Sequence, residues 1–96
     1  MLRNRNDTPQ AGASTIALQA LTFQLADDGY RQRFLAQCGI EPQHLPDMVH
    51  RTDFLAGILD MMLRDESLLL AFCADTGLDP EEVERASLTL SRTGNA

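Results

Sequence analysis

The chain writes one short phrase twice. Residues 37–45 read QCGIEPQHL and residues 75–83 read DTGLDPEEV, and the two copies align without a gap at an offset of 38 residues. The register persists upstream, where Leu21 falls on Leu59, Leu25 on Leu63, Asp27 on Asp65, Phe34 on Phe72, Gly39 on Gly77 and Pro42 on Pro80. Each unit spells helix, acidic turn, helix, glycine stop, apolar residue, acidic cap and proline start. Gly39 and Gly77 stand where a helix must turn into the left-handed region, which a residue without Cβ does at least cost. Glu41 and Asp79 follow as N-cap acceptors, and Pro42 and Pro80 stand where a missing N–H does no harm.

This punctuation predicts an all-α chain, a compact bundle of five to six short helices with an internal helix-turn-helix duplication. Helices are expected over Ser14–Leu25, with Ser14 as cap, over Asp28–Cys38, over a segment capped by Thr52 or Asp53 and ending at Leu63, over Glu66–Thr76 and over Pro80–Leu90. Pro46 follows Pro42 too closely for an undisturbed helix, so a short turn at 42–45 and a restart at Pro46 are expected there. A disordered tail at 1–13, one helical domain at 14–90 and a frayed end at 91–96 complete the layout. No alternation of β-branched residues competes.

The 96 residues, 44% of them hydrophobic, suffice for one core and leave no room for a second domain. No apolar run approaches the roughly 18 residues of a spanning helix, and no signal-type segment follows Arg3 and Arg5, so a cytoplasmic location is expected. Cys38 and Cys73 read as small hydrophobes in a reducing compartment. The net charge of −6 falls entirely in the second half: residues 1–51 hold five Arg against five acids, and residues 52–96 hold three Arg against nine. Phosphate backbones and anionic lipids would be repelled by that half, which disfavours nucleic acid and membrane as partners.

The two copies differ most where the first has YRQRF, residues 30–34, and the second LLLAF, residues 68–72. A helix apolar nearly all round is either the centre of a bundle or an outward patch, with Leu69 or Leu70 at an interface in the second case. A helix-turn-helix DNA reader shares the spacing, with Arg31, Arg33 and Arg51 as its phosphate contacts, but its second copy begins with Glu81, Glu82 and Glu84. Ser67 in DESLLLAF invites comparison with an acyl carrier, yet Glu66 precedes it and a greasy helix follows. His44 and His50 do not share a helical face, no Cys-x-x-Cys is present, and Cys38 with His44 is a weak pair across a turn. Paired acids at Asp27–Asp28 and Asp65–Glu66 read as helix caps. No catalytic, metal or cofactor site is assigned.

The stretch FLAGILDMMLRDESLLLAFCADTGLDPEEVER, from Phe54 to Arg85, resembles a small, mainly alphaproteobacterial family of unknown function, DUF3572. The residues that carry the resemblance are Phe54 and Leu55, Leu59 and Asp60, Asp65 and Glu66, Leu68 to Leu70, Gly77 and Leu78, Pro80 and Val83. It implies a cytoplasmic helical bundle and supplies no substrate or cofactor. The function expected is that of a protein-interaction module or homodimer without catalytic activity, its partner an unknown protein or a second copy. The candidate contacts are Leu69, Leu70 and the acidic face of Glu81, Glu82 and Glu84. A nucleic-acid-associated regulator and an acyl-carrier-like protein are the alternatives.

Overall fold

A computed structural model describes residues 9–94, with side chains for residues 11–92. Helix α1 runs Pro9–Leu25 and α2 Asp28–Cys38; a 3-10 turn at Pro42–His44 leads into the single-turn α3, Leu45–Met48; then come α4, Thr52–Leu63, α5, Glu66–Thr76, and α6, Pro80–Gly94. No strand occurs among the described residues. Helices α1, α4 and α6 pack on one another, while α2 lies against α1 and α5 against α4 and α6.

The recurring phrase becomes backbone geometry. The Asp27 carboxylate accepts the Tyr30 N–H at 2.9 Å and the Asp65 carboxylate accepts the Leu68 N–H at 3.2 Å, each satisfying a donor that a helix start leaves open. At the other end Gly39 (φ 66°) and Gly77 (φ 79°) are left-handed, and their N–H groups donate to the Leu35 and Cys73 carbonyls. Helices α2 and α5 therefore have the same length, 11 residues, and begin 38 positions apart. After the glycine the two halves part. Pro80 opens a 15-residue helix, whereas Pro42 opens a 3-10 turn and Pro46 sits in the first turn of the four-residue α3.

Several caps differ from expectation. Helix α1 starts at Pro9 and not at Ser14, because Ala13 and Ala17 are buried and tertiary packing extends the helix through residues assigned to a tail. Residues 91–94 likewise continue α6, and the remainder of both predicted tails, 1–8 and 95–96, lies outside the described residues. Glu41 makes no side-chain cap; its carboxylate accepts from Gln43 at 2.7 Å. Arg51, not Thr52 or Asp53, occupies the cap position of α4, and Asp53 accepts the Phe54 N–H at 2.9 Å from inside the first turn. At α6 the Glu82 carboxylate accepts the Asp79 N–H at 3.1 Å, the reaching-back half of a capping box.

The core is built from Ile58, Leu59 and Met62 of α4, Val83, Ala86 and Leu90 of α6, Phe34 and Phe72, and an alanine stripe on α1 comprising Ala13, Ala17 and Ala20. The leucine-rich α5 is not the central helix; α4 and α6 each pack against α1 and α5 as well as against one another. Leu68 and Leu69 face the core while Leu70 is 53% exposed, so Leu69 is a core residue and not a surface contact.

Gly77→Ala is expected to cost about 1 kcal/mol or more, since any side chain at that φ is strained. Gly57→Ala, inside α4 with open space around its added Cβ, is expected to add up to about 1 kcal/mol. Urea denaturation of the pair checks both signs. Leu69→Glu buries a carboxylate and should abolish the cooperative transition, whereas Leu70→Glu should stay within about 0.5 kcal/mol of the parent.

Candidate functional site

Helix α1 determines where the surface becomes concave. Its buried side chains are Ala13, Ala17, Ala20, Leu21 and Gln24, spaced as one helical stripe, and their small volume lets α1 approach its neighbours closely. Apart from the buried Leu21, the larger apolar residues of the same helix lie off this stripe: Leu18 is 40% exposed and Phe23 only partly buried. The buried Gln24 donates to the Ala20 carbonyl at 3.3 Å and so needs no external partner for that group.

Besides a small hollow of about 240 Å³ against α6, two larger concavities flank this helix. A polar cleft of about 640 Å³ lies where α2 meets the end of α4 and the start of α5, lined by Tyr30, Arg33, Gln37, Arg64, Asp65 and Glu66 among others. Its charges are balanced. Arg33 binds Asp65 at 2.6 Å, tying α2 to the cap of α5, and Arg64 pairs with Asp60. Ser67, the carrier candidate, also lines this cleft as an exposed residue in the first turn of α5.

The second concavity is an open groove of about 780 Å³ between α1, the α1–α2 turn and the end of α5, lined by Thr15, Leu18, Thr22, Phe23, Asp27, Tyr30, Asp75 and Thr76 among others. Phe23 and Tyr30 stand with ring centroids 5.7 Å apart, and Phe23 meets Phe72 of the core edge-on at the same separation. The floor is thus aromatic and anchored from beneath. Among the described residues, the charged side chains lining it are Asp27 and Asp75. None of these residues except Asp27 was singled out by sequence, and Asp27 only as a cap. The signal that could have found them is the alanine stripe, which identifies the buried face of α1 and leaves Leu18 outside it.

The sequence candidates fall as follows. Leu70, Glu81 and Glu84 are exposed, Glu82 is half-buried with its carboxylate engaged at the Asp79 N–H, and Leu69 is in the core. Arg31 pairs with Asp28 at 2.8 Å and Arg51 with Asp53 at 2.8 Å, so together with Arg33 the three arginines of a phosphate-binding side all contact carboxylates. The would-be reading helix of the first half is only the four residues of α3. His44 and His50 are exposed, and among the described residues no group of three or more His, Cys, Asp or Glu is placed to hold a metal ion. No helix among them is long and apolar enough to cross a membrane.

The family described as "Protein of unknown function (DUF3572)" matches residues 10–93, from the first turn of α1 to the last of α6. The chain belongs to that family. No curated protein and no solved structure matches it. The fold and grooves described above are therefore those of a DUF3572 member over nearly its whole length.

The thiols of this DUF3572 chain are free and unactivated. Burial raises the Cys38 thiol above its ordinary value, and its sulfur lies 3.8 Å from the Met61 sulfur. Cys73 is raised by burial and then by the nearby Asp79 and Glu82 charges. A nucleophilic cysteine needs the opposite shift.

Asp65 is held below the ordinary carboxylate range, first by the Leu68 N–H and then by Arg33. Its cap and ion pair therefore contribute stability above the unfolded-state pKa of about 4, and that contribution is lost as pH falls through the lower folded-state value. Thermal unfolding followed from pH 7 to pH 2 should show stability declining below about pH 4. Asp65→Asn should flatten part of this decline, and Asp65→Ala should cost about 1 kcal/mol at neutral pH.

Proposed function

We propose that this chain is a non-catalytic docking module whose acidic surface receives a basic segment of another protein. The observation that supports this reading is the uneven pairing of charge. Among the described residues Arg31, Arg33, Arg51 and Arg64 each contact an aspartate, whereas no ion pair involves Asp75, Asp79, Glu81 or Glu84, which follow one another across the α5–α6 junction. Exposed carboxylates without a counter-charge repel one another, at a small cost to the folded chain, and that repulsion is relieved when cations arrive. A long-range field of this kind steers encounter more than it sets affinity. A second copy of the chain, itself carrying −6, is a poorer complement.

Glu81 and Glu84 are exposed and have no cap to support, so their reversal separates charge recognition from folding. Crosslinked capture at low salt followed by mass spectrometry should recover partners whose crosslinked segments are rich in Lys and Arg. Glu81→Lys with Glu84→Lys should lose them and flatten the salt dependence of capture, with unchanged circular dichroism. Retention of the same partners by the double variant, or recovery of nucleic acid in their place, would refute the assignment.

A further inference from the structure

We infer that the groove between α1, the α1–α2 turn and the end of α5 is the seat of that docking, and that its occupant is a basic amphipathic helix of a different protein. The inference rests on the docking-module reading and adds a location and a partner conformation to it.

Charge selects this groove over the polar cleft. The cleft sets Arg33 and Arg64 against Asp65, Glu66 and the neighbouring Asp60, leaving no strong preference for a cation or an anion. In the groove the charged lining among the described residues is Asp27 and Asp75, over a floor that includes Leu18, Phe23 and Tyr30. Carboxylates around aromatic faces are the complement of Arg or Lys side chains, whose stems lie on the rings while their heads meet the acids. The Asp27 carboxylate accepts the Tyr30 N–H, and one rim of the groove is therefore fixed by the same bond that starts α2.

The walls select the form of the occupant. They are helices α1, α2 and α5 with the α1–α2 turn, and no strand lines the groove, so it offers no strand edge to an extended peptide. An incoming segment must satisfy its own backbone, which an α-helix does. Such a helix would place apolar side chains at i, i+3 and i+4 on the floor and cations at its margins, burying the part of Leu18 that the alanine stripe leaves in water. Docking of a second copy would bring two chains of −6 together, which opposes self-association through this surface.

Tyr30 is the only tyrosine and the chain has no Trp, so intrinsic fluorescence reports on the groove and on the adjoining polar cleft, and amide shifts tell the two apart. The probe is a synthetic 14-residue peptide, helix-stapled, with a leucine stripe flanked by arginines and no aromatic residue, titrated into the full chain at low salt. A saturable change in Tyr30 emission is expected, with amide chemical-shift changes centred on Leu18, Phe23, Tyr30 and Asp75. Leu18→Ser and Asp75→Lys, both at exposed positions, should each weaken binding about tenfold or more. Leu70→Ser, exposed on α5 but outside the groove, should leave it unchanged. Shift changes centred on Glu81 and Glu84 instead would overturn the groove while leaving the docking module standing, and absence of binding by both readouts would overturn the groove and count against the module. Equal affinity for a peptide with glutamines in place of arginines would overturn the charge argument. A dimer of the chain alone in sedimentation, abolished by Leu18→Ser, would reassign the groove to self-association.

Discussion

The alanine stripe of α1 is the constraint from which the rest of the architecture follows. Ala13, Ala17 and Ala20 bring the α1 backbone against α4 and α6 more closely than leucines would allow, so the bulky residues needed to fill the interior come from the partners, chiefly Ile58, Leu59, Met62 and Leu90. Helices α4 and α6 both pack against this shallow surface and both also meet α5. The same stripe turns the outer apolar residues of α1 toward the turn into α2, where Phe23 and Tyr30 meet. Interior packing and the surface groove are two results of one choice of small residues.

Much of this was legible in the chain. The aspartate caps and the left-handed glycines were readable because their chemistry is local: a carboxylate near open N–H groups, and a residue without Cβ at a helix stop. The boundaries of α2 and α5 followed from them. What failed was set by contacts distant in sequence. Ser14 has the right side chain for a cap, but burial of Ala13 carries the helix past it. Leu68, Leu69 and Leu70 are indistinguishable as residues, and only the position of α4 decides that the first two are inside and the third is out. Likewise Glu82 looked like one of three equivalent surface acids until its carboxylate was found on the Asp79 N–H. The groove was legible only through the alanine spacing, because hydropathy ranks leucine above alanine and would turn Leu18 inward.

The distribution of ion pairs gives the molecule two different surfaces. Around α2 and the start of α5 each arginine meets an aspartate, and Arg33 with Asp65 links two helices that are far apart in sequence. Exposed pairs of this kind contribute little to stability, typically 0–1 kcal/mol, but they neutralise the surface they occupy. Across the end of α5 and the start of α6 the carboxylates stand without such partners, and the chain's negative field is concentrated there. Membership of DUF3572 assigns no chemistry to either surface. The contrast between them is instead a property of where the arginines fall.

The connections between helices carry a consequence of their own. The links between successive helical elements are at most three residues long, whether the pair at 26–27, the triplets beginning at Gly39 and Gly77, or the turns before α4 and α5. With so little slack, adding or removing one residue within a helix would rotate everything beyond it by about 100° and carry its buried side chains to the outside. Length is therefore conserved by geometry even where residue identity is free. Substitution on the outer faces leaves that registration intact, whereas a residue added inside α1, α4 or α6 would not.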